Sequence, residues 1–194
     1  MFKKLAFAAV GAAFLAATPA AAQGVSETQA ATAKVKLWDA LSFTAVTSEM
    51  YFGALVRSGS FTGTETLTLA SDGTTNCASL VNVTCSDTPA AAEFTLNASN
   101  GSDVKITLSG APGVFDPTDN SLILTDGATG VLVATLALTG AAADTATTDT
   151  NDYDITGSGV DQTINVHGDL VIDEATTAPN GVYSASYNIT AEYI

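Results

Sequence analysis

The sequence predicts an all-β protein, an immunoglobulin-like antiparallel β-sandwich of about nine or ten strands. Three observations carry this. Apolar residues recur at every second position in segment after segment, the period of a strand with one buried face. Turn dipeptides separate those segments, at Asp72-Gly73, Asn100-Gly101, Asp126-Gly127 and Asn180-Gly181, with Ala111-Pro112-Gly113 among them. The chain also holds 29 threonines, whose branched Cβ suits a pleated, half-exposed surface. Beyond the first residues, no window places apolar side chains at i, i+3, i+4 and i+7 with caps, so helices are not expected. Short strands at close spacing, joined by tight turns, favour a sandwich.

Residues 1–22 read as a secretory signal. Lys3 and Lys4 supply the positive start, an uncharged apolar run follows, and Ala20-Ala21-Ala22 offers small residues for cleavage before Gln23. The run is shorter than the ~20 residues a membrane span needs. The protein is therefore expected to pass the inner membrane, cross the periplasm and reach the cell surface, with no integral span in the mature chain. Residues 23–32 read as a flexible N-terminal extension and 33–194 as a single sandwich domain.

Within that domain Val35 and Leu37 alternate with Lys34 and Lys36, which predicts a first strand. Phe61, Leu67 and Leu69 alternate with Thr62, Thr64, Thr66 and Thr68. Such a threonine row, present once, is the outer face of an ordinary strand. Phe94 and Leu96 mark a further strand, and Val104, Ile106 and Leu108 another. The nearly continuous runs 122–124 and 131–138 predict strands buried on both faces. Residues 140–150, rich in Ala, Thr and Asp, read as a long surface loop. Ile164, Val166, Leu170 and Ile172 share one parity, which points His167 outward beside Asn165. At the end, Tyr183, Ala185, Tyr187, Ile189, Ala191 and Tyr193 form the cleanest amphipathic strand of the protein, with polar residues at every even position from 184 to 192.

Composition narrows the function. The chain of 194 residues carries six basic and 20 acidic side chains, a formal charge of −14, and only 13% charged residues. Nucleic acid is excluded as a partner, because binding phosphates needs clustered Lys and Arg. Docking on anionic lipid is disfavoured for the same reason. Cys77 and Cys85 are the two cysteines, eight positions apart. In an oxidising compartment they predict one local disulfide. A catalytic triad needs a base, and His167 is the one histidine. No pair among the 20 acids stands out as a general acid and base, so no catalysis and no cofactor are expected. Asp149, Asp152 and Asp154 are the candidate metal ligands, because alternating oxygens can hold calcium. They do not form an EF-hand loop, since Val160 stands where the twelfth-position Glu would fall.

The tail also resembles the C-terminal motif of chaperone–usher pilus subunits. That motif has a Gly fourteenth from the end, alternating hydrophobic residues and a penultimate Tyr, matched here by Gly181, the odd positions from Tyr183 and Tyr193. The remainder is similar to a family of small exported bacterial β-proteins of unassigned function. The residues that carry this likeness are Leu41-Ser42-Phe43, Tyr51-Phe52-Gly53 and the closing run from Gly181 through Tyr183 to Tyr187. The resemblance implies donor-strand complementation. In that scheme an incomplete sandwich accepts a strand, first from a periplasmic pilus chaperone and, after transfer at an outer-membrane usher, from the N-terminal extension of a neighbouring subunit. It implies that Gly181, Tyr183, Ala185, Tyr187, Ile189, Ala191 and Tyr193 line the contact, and that the terminal carboxylate meets a basic residue of the chaperone. The donor candidates are Val25, Ala31 and Ala33, a weakly apolar row, whereas Val35 and Leu37 are assigned to the subunit's own first strand. The function expected is a fimbrial structural subunit. The alternative is a stand-alone extracellular binding protein for a glycan or an ion, using loops such as 140–150.

Overall fold

The structure is a computed structural model that describes residues 35–57, 63–143, 150–173 and 180–194. The signal at 1–22, the donor candidates Val25, Ala31 and Ala33, and Phe61, Thr62 and Asp149 lie outside the described residues. The sandwich is built by the unit Leu37–Ile194.

The class is all-β, as expected. Thirteen strands form among the described residues, more than nine or ten because several are very short. The first sheet runs in the order β1 (Ser42–Thr47), β5 (Ala92–Asn97), β12 (Gln162–Asp173), β9 (Val131–Thr139), β8 (Ser121–Thr125) and β7 (Phe115–Asp116), and β3 (Thr64–Leu69) joins it on β12. The second sheet runs β10 (Ala142–Ala143), β11 (Asp152–Thr156), β6 (Asp103–Gly110) and β13 (Tyr187–Tyr193). A separate two-stranded ribbon pairs β2 (Ala54–Arg57) with β4 (Val83–Ser86). All pairings are antiparallel.

β12 is the spine. Of its twelve residues, 165–171 pair with β9 along one edge, while β5 and then β3 occupy the other edge in succession. Ile164, Val166, Leu170 and Ile172 all point inward and are buried, as their parity predicts. Gly168 holds the same parity between them. A Cβ there would strike the backbone carbonyl of Thr135 on β9, so the close approach of these two strands requires glycine. The halves of β12 serve two cores. Ile164 and Val166 join Phe94 and Leu96 of β5, Ile106 and Leu108 of β6, and Tyr153 of β11 between the two sheets. Leu170 and Ile172 join Phe52, Leu67, Leu69 and Val83, a second cluster that also packs Leu55 of β2 and Cys77 and Cys85. Burying side chains of this size contributes about 1.5–3 kcal/mol each. The expected disulfide joins Cys77, in the short 3-10 turn Cys77–Ser79, to Cys85 on β4, with Cα atoms 6.1 Å apart.

Several expectations are corrected. Val35 and Leu37 form no strand, and they stand 80% and 86% exposed. Alternation licenses a strand only where an edge is available to pair with, and the first strand instead begins at Ser42 on β5. The run 131–138 is less buried than its composition suggests: Ala134 and Leu136 are buried, but Val131 is 42% exposed. Its sheet is covered on one face, so the ordinary alternation returns. Part of the stretch 140–150 is strand, because Ala142 and Ala143 pair with Asp154 and Tyr153. The last strand begins at Tyr187 rather than Tyr183.

Candidate functional site

The amphipathic tail belongs to both sheets. Ser184 exchanges two 3.1 Å backbone hydrogen bonds with Thr125 at the end of β8. This continues the line of β7, whose neighbour Val114 accepts from Ile123 at 2.7 Å. Three residues later the chain has crossed to the second sheet, where Tyr187–Tyr193 pairs with β6 from Gly110 to Val104. Gly181 is exposed, and Tyr183 is half-buried beside Gly130, where a Cβ would strike its ring.

The register of β13 decides which of its backbone groups are free to bond a further strand. The Ile194 amide donates to the Asp103 carbonyl at 3.1 Å, so that pair is hydrogen-bonded. Antiparallel pairs alternate between bonded and non-bonded types. Glu192, Thr190 and Asn188 therefore bond Lys105, Thr107 and Ser109. Tyr187, Ile189, Ala191 and Tyr193 turn their N–H and C=O groups away from β6. The β6–β11 ladder agrees, because the Leu108 amide donates to the Asn151 carbonyl at 2.9 Å, which places the even residues of β6 on the other side. Among the named strands β13 pairs with β6 alone, so these four residues offer an open edge.

The side chains on that open edge are the apolar ones. Ala185, Tyr187, Ile189, Ala191 and Tyr193 pack against the first core, yet each is half-buried, while Asn188, Thr190 and Glu192 face solvent. Tyr187 shows the cost. Its hydroxyl is buried without a hydrogen-bond partner, and burial pushes its pKa up to about 12. β1 closes the first sheet in the same half-covered manner. Its Phe43 stacks on Phe94 with centroids 5.3 Å apart, and Leu41 and Phe43 are partly buried on the same core.

The two edges meet at Tyr193. Its hydroxyl accepts from the Ser99 amide at 3.0 Å and donates to the Asp39 carbonyl at 3.0 Å. Ser99 Oγ in turn accepts from the Asp39 amide at 2.5 Å, and the Tyr193 ring stacks on Trp38 at 5.8 Å. The chain entering β1 is thereby fixed at the end of β13.

The metal candidates fare differently. Asp152 accepts from Thr107 Oγ1 at 2.7 Å and meets Lys105 Nζ at 3.4 Å. Asp154 keeps a buried Oδ1 without a partner. Among the described residues no group of three His, Cys, Asp or Glu side chains is placed to hold a metal. His167 lies 2.8 Å from Thr139 Oγ1, on the outward side of β12 as its parity predicts.

Sequence reasoning did not single out Asn120, Asn151 and Tyr153, which form a buried polar knot. Asn120 Nδ2 donates to Thr150 O at 2.8 Å and to the Tyr153 hydroxyl at 2.9 Å, and Asn151 Nδ2 donates to Leu108 O at 2.8 Å. The available signal is the dipeptide Asp119-Asn120. Asn120 takes a left-handed conformation with φ of 57°, one that asparagine tolerates better than most residues.

Among the described residues no helix is long and apolar enough to cross a membrane, which leaves β-barrels unaddressed. The family described as "Domain of unknown function (DUF4402)" matches residues 41–193. The match begins two residues after the Asp39 contact and ends on Tyr193. No curated protein and no solved structure matches the chain.

Proposed function

The chain belongs to the DUF4402 family, and for this member we propose a non-catalytic, exported surface subunit, pilus-like, that assembles by accepting a strand on β13. The observation that carries this reading is the open edge of β13, where backbone groups unpaired among the described residues and half-buried apolar side chains belong to the same four residues. An exposed edge with apolar flanks is a template for another strand. A strand added there would bond Tyr187, Ile189, Ala191 and Tyr193 and cover their side chains in one step.

The exposure of Val35 and Leu37 supports a donor in the N-terminal extension of a neighbouring subunit. Released from the fold, they extend the row Val25, Ala31 and Ala33 into a consecutive apolar face at 31, 33, 35 and 37. The opposite face carries Lys34 and Lys36, two of the four basic residues outside the signal, suited to lie beside Glu192. The family match starts after this segment, at Leu41. In transit through the periplasm a chaperone strand would occupy the same edge before an usher hands the subunit on.

A pair of proline variants tests the reading. Ala191→Pro removes an N–H that points to the open edge, so the fold persists and oligomers of the exported protein are lost. Thr190→Pro removes a ladder bond to β6 and destabilises the fold, which lowers its urea midpoint where Ala191→Pro does not. Amide exchange gives an independent check. In the isolated subunit Tyr187, Ile189, Ala191 and Tyr193 exchange fast and Asn188, Thr190 and Glu192 slowly, and assembly protects all seven. Oligomers that survive Ala191→Pro overturn the proposal, as does a lone monomer with all seven amides equally protected.

A further inference from the structure

Two of the nine asparagines in this chain are followed by glycine, at Asn100-Gly101 and Asn180-Gly181. Such a step can react with itself. The glycine nitrogen is a nucleophile one ring closure away from the asparagine Cγ, and glycine, with no Cβ, turns freely enough to bring the two together. Asparagine is a thermolabile residue. The first step lies between β5 and β6, and the second lies just ahead of the Ser184–Thr125 pair. All four residues are exposed, so water reaches both steps alike.

The backbone separates them. Asn100 and Gly101 are the central residues of a turn that the Ser102 amide closes on the Ser99 carbonyl at 3.0 Å. The Gly101 amide is already spent, donating to the Gly157 carbonyl at 2.8 Å, and the Gly157 amide donates back to the Ser102 carbonyl at 2.8 Å. The Gly159 amide adds a bond to the Ala98 carbonyl at 3.0 Å. The nitrogen that would attack is thus held in a network of hydrogen bonds, and ring closure must wait for the turn to open. Asn180-Gly181 has no such frame. Among the described residues the Gly181 amide forms no hydrogen bond, and Val182 beside it is 86% exposed. The next β-pairing along the chain is Ser184 with Thr125.

We propose that Asn180-Gly181 is a site of spontaneous covalent modification, at which the Gly181 nitrogen attacks Asn180 Cγ in the folded protein. The nitrogen gives its proton to solvent and bonds to Cγ. The Cγ–Nδ2 bond breaks, and the amide nitrogen leaves as ammonia after taking up a proton. A succinimide ring remains. Water then opens one of the two carbonyl–nitrogen bonds of the ring. Opening at Cγ leaves aspartate, and opening at the main-chain carbonyl leaves isoaspartate, in which the main chain runs through Cβ and Cγ. The net change is one water gained for one ammonia lost, so no oxidant or reductant is needed. Either product adds a negative charge beside Asp126, because a Cβ on Gly181 would stand 3.4 Å from Asp126 Cβ. Asp126 Oδ1 already accepts from the Ala128 and Gly130 amides at 2.8 and 2.9 Å. Isoaspartate also adds one carbon to the main chain just ahead of the Ser184–Thr125 pair. The modification therefore marks the age of the molecule where its tail is tied to the first sheet. The site is separate from the β13 edge, so neither proposal depends on the other.

The test incubates the exported protein in mildly alkaline buffer, native and in urea. Peptides that hold Asn100 and Asn180 are followed by mass, with fragmentation that separates isoaspartate from aspartate. Each native rate is compared with the rate of the same site in urea, which removes the effect of neighbouring residues. Asn180 converts in the native protein nearly as fast as in urea and yields both products. Asn100 slows by about tenfold or more on folding, because it waits on local opening. Gly181→Ala is the second measurement. Its methyl meets Asp126 Cβ at 3.4 Å, an ordinary contact, so the fold stays, while the added Cβ crowds the attacking nitrogen and slows Asn180 conversion severalfold. Native Asn180 slowed as much as Asn100 overturns the proposal. So does conversion that yields aspartate alone or proceeds unchanged in Gly181→Ala, since neither passes through the ring.

Discussion

β12 and β13 are written in the same two-residue rhythm and finish in different physical states. In β12 the inward residues Ile164, Val166, Leu170 and Ile172 are no more than 3% exposed. In β13 the inward residues Tyr187, Ile189, Ala191 and Tyr193 all remain half-buried. Side-chain pattern does not separate the two strands, because β13 is if anything the more regular. Neighbours separate them. β12 has β9 on one edge and β5 and β3 on the other, whereas among the described residues β13 has β6 alone. Burial of a strand residue needs cover from the facing sheet and from the strands on either side, and β13 has only part of the lateral cover. A strand of this kind is stable enough to fold and still gains from a further neighbour, which suits a subunit that exchanges strands.

The largest expected effect would break this comparison if it failed. Ile164→Ala removes a fully buried side chain from the spine and should cost about 2–5 kcal/mol. Ile189→Ala opens no closed cavity, because its site already meets solvent, and should cost less than half as much. Urea unfolding of the isolated subunit reads both. Equal losses would mean that β13 is covered as fully as β12. In the assembled protein the Ile189→Ala loss should grow, since an added strand would bury the site.

Much of this contrast was hidden from the sequence for a physical reason. Period and parity are local, so the strands around Phe94, Ile106, Ile164 and Ile189 were legible, as were the outward His167 and the disulfide. Which edge a strand occupies depends on pairings between distant segments. The open side of β13 follows from its register on β6, a strand far back along the chain, set by pairs such as Ala191 with Ile106. The same limit explains Val35 and Leu37, whose alternation finds no partner edge within the described sandwich. It explains Tyr183 and Ala185, which keep the rhythm of β13 while Ser184 bonds the other sheet. The Asn120–Asn151 knot was illegible in another way. Single asparagines in turns are common, and only folding brings Asn120 to the Tyr153 hydroxyl and Asn151 to the Leu108 carbonyl.

The second effect sharpens the role of cover. The far half of β12 owes its burial to the second cluster, which packs against Leu55, Leu80 and both disulfide cysteines. Replacing both cysteines by serine should lower stability by about 2–3 kcal/mol through the lost loop constraint. Amide exchange then shows whether the loss is local. Faster exchange at Leu170 and Ile172, with Ile164 and Val166 less affected, would place the cover of the far half in the stapled ribbon. Uniform acceleration along β12 would show that its two halves unfold together.

The smallest effect near neutral pH concerns Tyr187, and its pH dependence has a defined sign. The native hydroxyl has a pKa raised to about 12 by burial, and an unfolded tyrosine ionises near about 10. Between those values the unfolded chain gives up its proton before the native protein does. The native state then binds more protons, so stability falls as pH rises through this window. Below it Tyr187 contributes no slope. Tyr187→Phe removes both the unmatched hydroxyl and its ionisation, so it should raise stability at neutral pH by about 1 kcal/mol and flatten the alkaline fall between the two values. Chemical unfolding across that range, variant against parent, isolates Tyr187 from Tyr51, Tyr153 and Tyr183, whose values are also raised. An unchanged alkaline limb would put the Tyr187 hydroxyl in water and remove the half-buried state that distinguishes β13 from the spine. A flattened limb would mean that the inner half of this face is already dry, so a partner strand need cover only its outer margin.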